Sequence, residues 1–189
     1  MIRNILAAIG IILTASLIFI YLTLSPKIGK LDSYAIPLYT DMIESIIKDG
    51  DFAKTVMKKY KIAEDITNED VIKSIKSITK DKGYDVMSDV KMFRAPDAKD
   101  NEVKFSENIE ICNLYVLRKL LDKSMYIGGM MPCSIMLVEY GNGDRFLITR
   151  NFDFIIHGGF PLDKKLLKLL DKTKENIEDI VARATIGDM

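Results

Sequence analysis

An uninterrupted apolar segment, residues 5–24, constrains the fold of this chain more than any other feature. It contains no charged residue, and about 20 predominantly apolar residues are enough to cross a bilayer as a helix. A cleaved signal peptide is the main alternative, but its apolar region should span only about 7–15 residues and end at a small-x-small site. Here Ala15 and Ser16 lie inside the segment, and residues 22–25 read Leu-Thr-Leu-Ser. We therefore predict an uncleaved membrane anchor that contacts the lipid bilayer through residues 5–24.

The charges that flank this segment give a topology expectation. Arg3 and the amino terminus lie before it, and Lys27 and Lys30 lie after it, so the positive-inside comparison is nearly a tie. The short N-terminal tail favours an amino terminus inside the cell and an exported domain, as in a signal anchor. We expect a single-pass protein of the cytoplasmic (inner) membrane whose soluble domain is extracytoplasmic.

The overall composition argues against nucleic-acid binding and against a histidine-based metal site. Lys and Arg together number 27 and Asp and Glu together number 27, which argues against a nucleic-acid-binding protein, because such proteins carry a basic excess or stripe. His157 is the only histidine. A histidine-based metal site is therefore nearly excluded, since zinc sites recruit several His or Cys ligands.

The segment that follows the anchor predicts an amphipathic helix between Pro37 and Gly50. Its apolar residues recur at helical spacing, and Gly50 supplies a stop. Two environments fit this face: the core of the following domain or the surface of the membrane. We favour the domain, because the polar face carries too few basic residues for a typical lipid-binding helix.

The rest of the chain predicts an α+β domain in the order β-α-β-β-(short α)-β-β-α. Strands are predicted at 52–63, 84–93, 103–112, 132–139 and 145–149, and helices at 67–82, 114–121 and 163–184. The fold class is a β-α-β4-α antiparallel sheet with helices packed on one face, preceded by a single transmembrane helix. The domains are 1–30 (anchor and connector), 31–50 (amphipathic linker helix) and 51–189 (α+β domain).

The segment 110–139 carries the sequence features that are most specific to a family. It reads Glu-Ile-Cys-Asn at 110–113 and Ile-Gly-Gly-Met-Met-Pro-Cys at 127–133, followed by an apolar strand. In these motifs the chain resembles the domain-of-unknown-function 302 family over roughly residues 52–184, although Leu114 stands where the family often has proline. The resemblance implies a β-α-β4-α fold and a homodimer, and it implies no activity, because none is established for the family.

The candidate site consists of Cys112, Cys133, Asn113 and Pro132. The two cysteines end the third strand and begin the fourth, so antiparallel pairing of these strands should bring both sulfurs to one end of the sheet. Three interpretations remain open, in order of preference: buried thiols packed as small apolar groups, a structural disulfide in an oxidising compartment, and a functional pair for redox exchange, sulfur carriage or soft-metal binding. The last requires an electropositive, partly exposed setting, which Lys119 and Lys123 are candidates to supply.

Several other residues have both a chemical and a simpler structural interpretation. Four methionines near Cys133 suit a copper(I) site, but methionine more often fills gaps in a core (Met125, Met130, Met131 and Met136). We interpret Gly128-Gly129 and Gly158-Gly159 as turns, and His157 as a solvated loop residue without a carboxylate partner. Asp153 and Asp163 form no paired-carboxylate motif. Asn113 is expected to cap the helix at Leu114.

These patterns predict a membrane-anchored, non-catalytic binding or accessory domain of unknown ligand. No constellation of catalytic residues is recognisable, no metal ligands are assigned, and no cofactor is indicated. The alternative is a thiol-dependent redox, sulfur-carrier or soft-metal-binding protein that uses Cys112 and Cys133. A third hypothesis is a structural module whose cysteines form a disulfide bridge.

Overall fold

The computed structural model describes residues 2–188, with the backbone alone at Ile2, Arg3, Ala8 and Ile127. The amino terminus and the Arg3 side chain, on which the topology expectation depends, therefore lie outside the described atoms. The chain begins with helix α1, Ile2–Ile28. Its apolar side chains point in all directions and are exposed, among them Ile11 and Phe19, each 70% exposed. The predicted apolar helix is confirmed, and none of it is buried in the domain.

Thirteen elements follow one another along the described chain. After α1 come helices α2 (Ala35–Asp49) and α3 (Ala53–Val56), strand β1 (Met57–Lys61), helix α4 (Asn68–Asp81), and strands β2 (Asp85–Arg94) and β3 (Val103–Cys112). Helices α5 (Leu114–Lys123) and α6 (Met125–Gly128), strands β4 (Cys133–Tyr140) and β5 (Arg145–Arg150), and helices α7 (Asp153–His157) and α8 (Lys164–Ala184) complete the chain.

The five strands form one antiparallel sheet in the order β1-β5-β4-β3-β2. The tight turn at 141–144 joins β4 to β5, and Gly143 adopts a φ of 87°, which a side chain would strain. Helices α4 and α8 pack together and against one face of the sheet. The predicted α+β fold, with antiparallel strands and helices on one face, is confirmed.

Fully buried aliphatic side chains fill the space between the sheet and its helices. On the sheet, Ile109, Ile135 and Leu147 are completely buried. The helices contribute residues at helical spacing, such as Ile75 from α4 and Ile177 from α8. At about 25 cal/mol for each Å² of apolar surface removed from water, these contacts dominate the stability of the domain.

The ends of the domain helices follow the signals in the sequence. Thr67 caps α4 by accepting a hydrogen bond from the backbone N–H of Asp70 at 3.1 Å. Asp163 caps α8 by accepting from the N–H groups of Lys165 and Leu166. Caps of this kind satisfy backbone donors that the first turn of a helix leaves free. The helix starts predicted at Thr67 and Asp163 are therefore confirmed.

Two sequence predictions about local structure are wrong. Residues 53–56 form α3 and not the start of a strand, and Asp51, just before this turn, accepts a hydrogen bond from the Ala53 N–H at 2.9 Å. The apolar alternation that suggested a strand begins only at Val56. Residues 153–157, expected to be a loop, form α7, where Asn151 accepts from the Asp153 N–H. In both places, a local hydrogen bond from a backbone N–H to an Asp or Asn side chain two residues earlier stabilises one short helical turn that hydrophobic periodicity does not reveal.

Candidate functional site

Cys112 and Cys133 lie at the same end of the sheet. Strands β3 and β4 are antiparallel, and Cys133, the first residue of β4, pairs with Ile111. Cys112 is the next residue and the last of β3. The geometric prediction for the two cysteines is therefore confirmed.

The register nevertheless assigns the two cysteines to opposite faces of the sheet. Directly paired residues of antiparallel strands share a face, and successive residues alternate. Cys133 therefore shares the core face with Ile111 and belongs to the hydrophobic core, whereas Cys112 belongs to the other face. Both thiols are free and almost fully buried, at 1% and 3% exposure. This arrangement matches the first interpretation, in which the thiols pack as small apolar groups.

The electrostatic surroundings keep both thiols protonated at neutral pH. Burial raises the pKa of Cys133 to about 12, the neighbouring Cys112 adds to this effect, and Arg150 opposes it only in part. The pKa of Cys112 is also raised, first by burial and then by the charge of Asp85. Because the thiolate is the reactive form, these surroundings disfavour exchange and metal-binding chemistry.

Asn113 and Pro132 organise the backbone beside the cysteines. Asn113 caps α5, since its Oδ1 accepts from the Val116 N–H at 3.1 Å while its Nδ2 donates to the Gly83 carbonyl at 3.1 Å. The expected capping role of Asn113 is thus present. Pro132 follows a cis peptide bond and immediately precedes β4. The Arg150 guanidinium holds this loop by donating to the Met130 carbonyl at 2.5 Å.

The methionines near Cys133 do not converge on its sulfur. Met131 Sδ lies 3.6 Å from Cys133 Sγ, but Met125 is 75% exposed. Met136 lies on the other face of β4, three residues after Cys133. Within residues 2–188, no three His, Cys, Asp or Glu side chains are grouped so that they could hold a metal ion. The geometry favours core packing for Met131, which contacts the hydrophobic core, and the separation of Met125 and Met136 from it disfavours a copper(I) site.

His157 has a carboxylate partner, so the expectation of a solvated loop histidine was wrong. It is the last residue of α7, and its Nδ1 lies 3.1 Å from Asp32 Oδ1. The Tyr34 ring packs edge-on against the imidazole, with centroids 5.2 Å apart. Asp32 is 125 residues away in sequence, and no local pattern pairs the two. The contact holds the segment after α1 on the domain.

Gly158 and Gly159, beside His157, accept two further hydrogen bonds from the N-terminal segment. The Gly159 carbonyl accepts a hydrogen bond from the Asp32 N–H at 2.9 Å, and the Gly158 carbonyl accepts from the Tyr39 hydroxyl at 2.5 Å. A Cβ on Gly158 would approach the Phe154 carbonyl oxygen to 2.3 Å, so only glycine fits there. The pair forms a turn, as expected, and the turn binds the N-terminal segment.

A buried carboxyl group on the core face of β3 is a feature that the sequence analysis missed. Glu107 is 2% exposed, and its Oε2 has no hydrogen-bond partner among the described residues. Burial, followed by the hydrogen bond and charge of Asp89, raises the pKa of Glu107 to about 7. Asp89 forms an ion pair with Lys76 of α4. The strand alternation, with Glu107 between the inward positions 105 and 109, was the signal that could have revealed this group.

Comparison with known proteins agrees with this fold. The model of the family described as "Domain of unknown function DUF302" matches residues 59–184. This chain belongs to the DUF302 family. The match includes both cysteines and the whole sheet apart from residues 57–58. No curated protein is significantly similar in sequence to this chain.

A solved structure shows the same fold at low sequence identity. It is the crystal structure of an uncharacterized conserved DUF302 protein from Bacillus stearothermophilus, with a TM-score of 0.53 and 11% identity. The alignment covers 68% of this chain and 98% of the other. At this identity the likeness concerns the DUF302 fold alone. Nothing in it assigns a ligand or a reaction.

Proposed function

We propose that this DUF302 protein is a membrane-tethered, non-catalytic binding or accessory domain that faces the outside of the cytoplasmic membrane. In this proposal, residues 1–30 are the anchor and connector, 31–50 the linker helix and 51–189 the functional domain. The observation that carries the proposal is the environment of α1. The most apolar 18-residue stretch of Asn4–Ile28 has a mean hydropathy of 2.6, and none of that stretch is buried by protein.

Such a helix requires an apolar solvent. The segment from Ile5 to Leu24 exposes 13 large hydrophobic side chains, and leaving them in water would cost about 20–40 kcal/mol at about 1.5–3 kcal/mol each. A bilayer removes this cost, because its hydrocarbon core is about 30 Å thick and the helix rises 1.5 Å per residue. The 27 residues of α1 are long enough to cross it.

The thiol-dependent alternative has weaker support. Cys112 and Cys133 lie at one end of the sheet, as an exchange pair would require, but they are buried, protonated and on opposite faces. Alkylation of the native protein distinguishes the two functions. We expect both thiols to resist the reagent until the domain unfolds, and rapid labelling of either native thiol would favour the alternative.

Membrane fractionation of the full chain tests the anchor. We expect the wild-type protein to stay in the membrane pellet after alkaline carbonate washing, and Leu13→Arg combined with Leu17→Arg to shift it to the soluble fraction, because arginine at the centre of a span costs about 2.5–3.5 kcal/mol. Leu13→Ile is the matched control. A soluble wild-type protein, or a mature protein whose mass lacks the apolar segment, would refute an uncleaved anchor.

An experiment that determines on which side of the membrane the domain lies needs an introduced thiol, because both native thiols are buried. Lys172 is suitable, since its side chain is 67% exposed on α8. We expect Lys172→Cys to react with an impermeant maleimide on intact cells. Labelling only after lysis would place the domain in the cytoplasm and overturn this part of the proposal.

A homodimer is the final part of the proposal. It is supported by the apolar side chains on the sheet face that carries no helices, at the edge strand β2, where Val90 is 49% and Phe93 48% exposed. Exposed apolar patches of this kind often mark interfaces. Light scattering of the detergent-solubilised protein measures its mass, and a monomer at micromolar concentration would count against the dimer.

A further inference from the structure

Helix α2 presents a stripe of exposed isoleucines next to the anchor. Ile36, Ile43 and Ile47 are 47%, 53% and 79% exposed. At 100° per residue, the three positions fall within about 40° of one another around the helix. Three aligned β-branched aliphatic side chains on one exposed face are unusual for a helix surrounded by water on that side.

This stripe is separate from the face that holds α2 on the domain. Ala35 and Leu38 are buried, and the Tyr39 hydroxyl donates to the Gly158 carbonyl. Leu38, Ala35 and Tyr39 lie about 160°, 100° and 60° around the helix from the centre of the isoleucine stripe, so the stripe borders the domain-facing side without including it. The predicted packing of α2 on the domain is therefore present, yet it leaves the isoleucines without a protein partner among the described residues.

The charged residues of α2 lie away from the stripe. Asp41 and Lys48 lie about 120–140° around the helix from its centre, and Glu44 about 80°. The helix thus has three surfaces: one on the domain, one charged, and one apolar and exposed. Acidic residues outnumber lysine on α2, so any attraction to a membrane would come from the apolar stripe and not from charge.

A short tether holds this helix near the end of α1. Helix α1 ends at Ile28, and the Asp32 N–H is already bound to the Gly159 carbonyl at 2.9 Å. Four residues span at most about 15 Å. The next residue in that loop, Phe160, is 65% exposed. A spanning α1 therefore forces Phe160 and the start of α2 to within one headgroup layer of the bilayer.

We propose that α2 lies in the interface of the bilayer that α1 crosses, with the isoleucine stripe and Phe160 inserted among the lipids. The occupant of this surface is a lipid bilayer, bound through apolar contact and without a requirement for anionic headgroups. This inference rests on the proposed anchoring by α1. In this arrangement the Asp32–His157 contact fixes the orientation of the domain relative to the membrane.

Spin labels on the full chain in phosphatidylcholine vesicles test the inference. Cysteine replaces Ile43 or Ile47 on the stripe, and Asp41 or Lys48 on the charged face as matched controls. The native cysteines are buried and do not compete for the label. We expect the ratio of accessibility to oxygen over a water-soluble nickel complex to be severalfold higher at 43 and 47 than at 41 and 48. Addition of anionic lipid should not change this ratio.

Two results would overturn the inference. Equal nickel accessibility at all four positions would place the stripe in water, and dipolar broadening between labels at position 43 would show that a second copy covers it. Flotation of the same vesicles separates this failure from that of the anchor. A chain that does not float refutes the anchor proposed for α1, whereas a chain that floats with a water-exposed stripe refutes only the docking of α2.

Discussion

Helices α1 and α8 are both long and rich in apolar residues, yet these residues are exposed in α1 and mostly buried in α8. In α1, Leu17 is 67% exposed, whereas Leu170 and Ile177 of α8 are completely buried. The apolar residues of α1 surround the helix, while those of α8 form one stripe with charged residues elsewhere. An all-round apolar helix matches a uniform apolar solvent, and a striped helix matches a boundary between a protein core and water.

The contrast extends to the polar groups of the two regions. The domain helices α4, α5 and α8 begin with side-chain caps, and the sheet buries the carboxyl group of Glu107. Helix α2 has no side-chain cap from its N-cap residue Tyr34, and its start is instead held by Asp32, which accepts from the Tyr34 N–H at 2.9 Å. The domain thus depends on specific internal contacts, whereas none of the apolar stretch of α1 is buried by protein. Substitutions in the two regions should therefore have different consequences.

The largest difference is expected between Ile177→Ala and Leu17→Ala. Removing a completely buried side chain from α8 leaves a cavity, and we expect the free energy of unfolding to fall by about 2–5 kcal/mol. The same loss of volume in α1 should change it by less than about 0.5 kcal/mol, because Leu17 has no protein neighbours to lose. Urea unfolding in detergent, followed by tyrosine fluorescence, measures both. Similar costs for the two variants would show that α1 is part of the domain core.

A smaller, pH-dependent effect is expected for Glu107→Gln. The pKa of Glu107 in the folded protein, about 7, is above its ordinary value, so folding favours the protonated carboxyl. The stability that this group contributes is present below about pH 4.5 and is lost as the pH rises through about 7. The glutamine variant should therefore gain on the wild type over this interval, by at most about 3 kcal/mol at about 1.4 kcal/mol per pKa unit.

Urea unfolding of both proteins at several pH values measures this gain. The charged groups around Glu107 are Asp89 and Lys91 of β2 and Lys76 of α4, and all are retained in the variant. Glu44→Gln, on the exposed charged face of α2, is the matched control and should show no such trend. A constant difference in the free energy of unfolding between wild type and Glu107→Gln across the interval would mean that water reaches the carboxyl in the folded domain. The core of the domain would then depend less on excluding water than the contrast with α1 suggests.

The smallest effect is expected for the cap of α5. Asn113→Ala removes the acceptor for the Val116 N–H and the donor to the Gly83 carbonyl, and we expect a loss of about 1 kcal/mol. Asn113→Asp keeps the capping acceptor and loses only the donor, so it should recover part of this loss. Thermal unfolding of the two variants provides the measurement. An unchanged thermal stability for Asn113→Ala would mean that the start of α5 does not depend on its side-chain cap, as the start of α2 has none from its N-cap residue.

Hydrophobic periodicity predicted most of the domain because its strands and long helices each bury one face. The bounds of β3 were predicted without error, and the antiparallel pairing of β3 with β4 placed the cysteines at one end of the sheet. Short turns escaped prediction. Four or five residues are too few to show a period, and the side chains of Asp51 and Asn151 favour these turns locally by accepting hydrogen bonds from the backbone two residues on.

The candidate site was less predictable than the fold. The sequence indicates that Cys112 ends one strand and Cys133 begins the next, but the pairing of Ile111 with Cys133 decides that the two thiols belong to opposite faces. A shift of one residue would have placed them side by side. The state of the thiols thus depends on the register, which involves the whole sheet.

The sequence by itself determined that one segment is apolar all round and that the rest alternates between apolar and polar residues, because these patterns record which solvent each face requires. The tertiary structure alone decided which distant residues meet. His157 contacts Asp32 across 125 positions, and Glu107 is sealed beside Asp89. Both contacts arise from chain topology: the first holds the segment after α1 on the domain, and the second lies between two strands of the sheet.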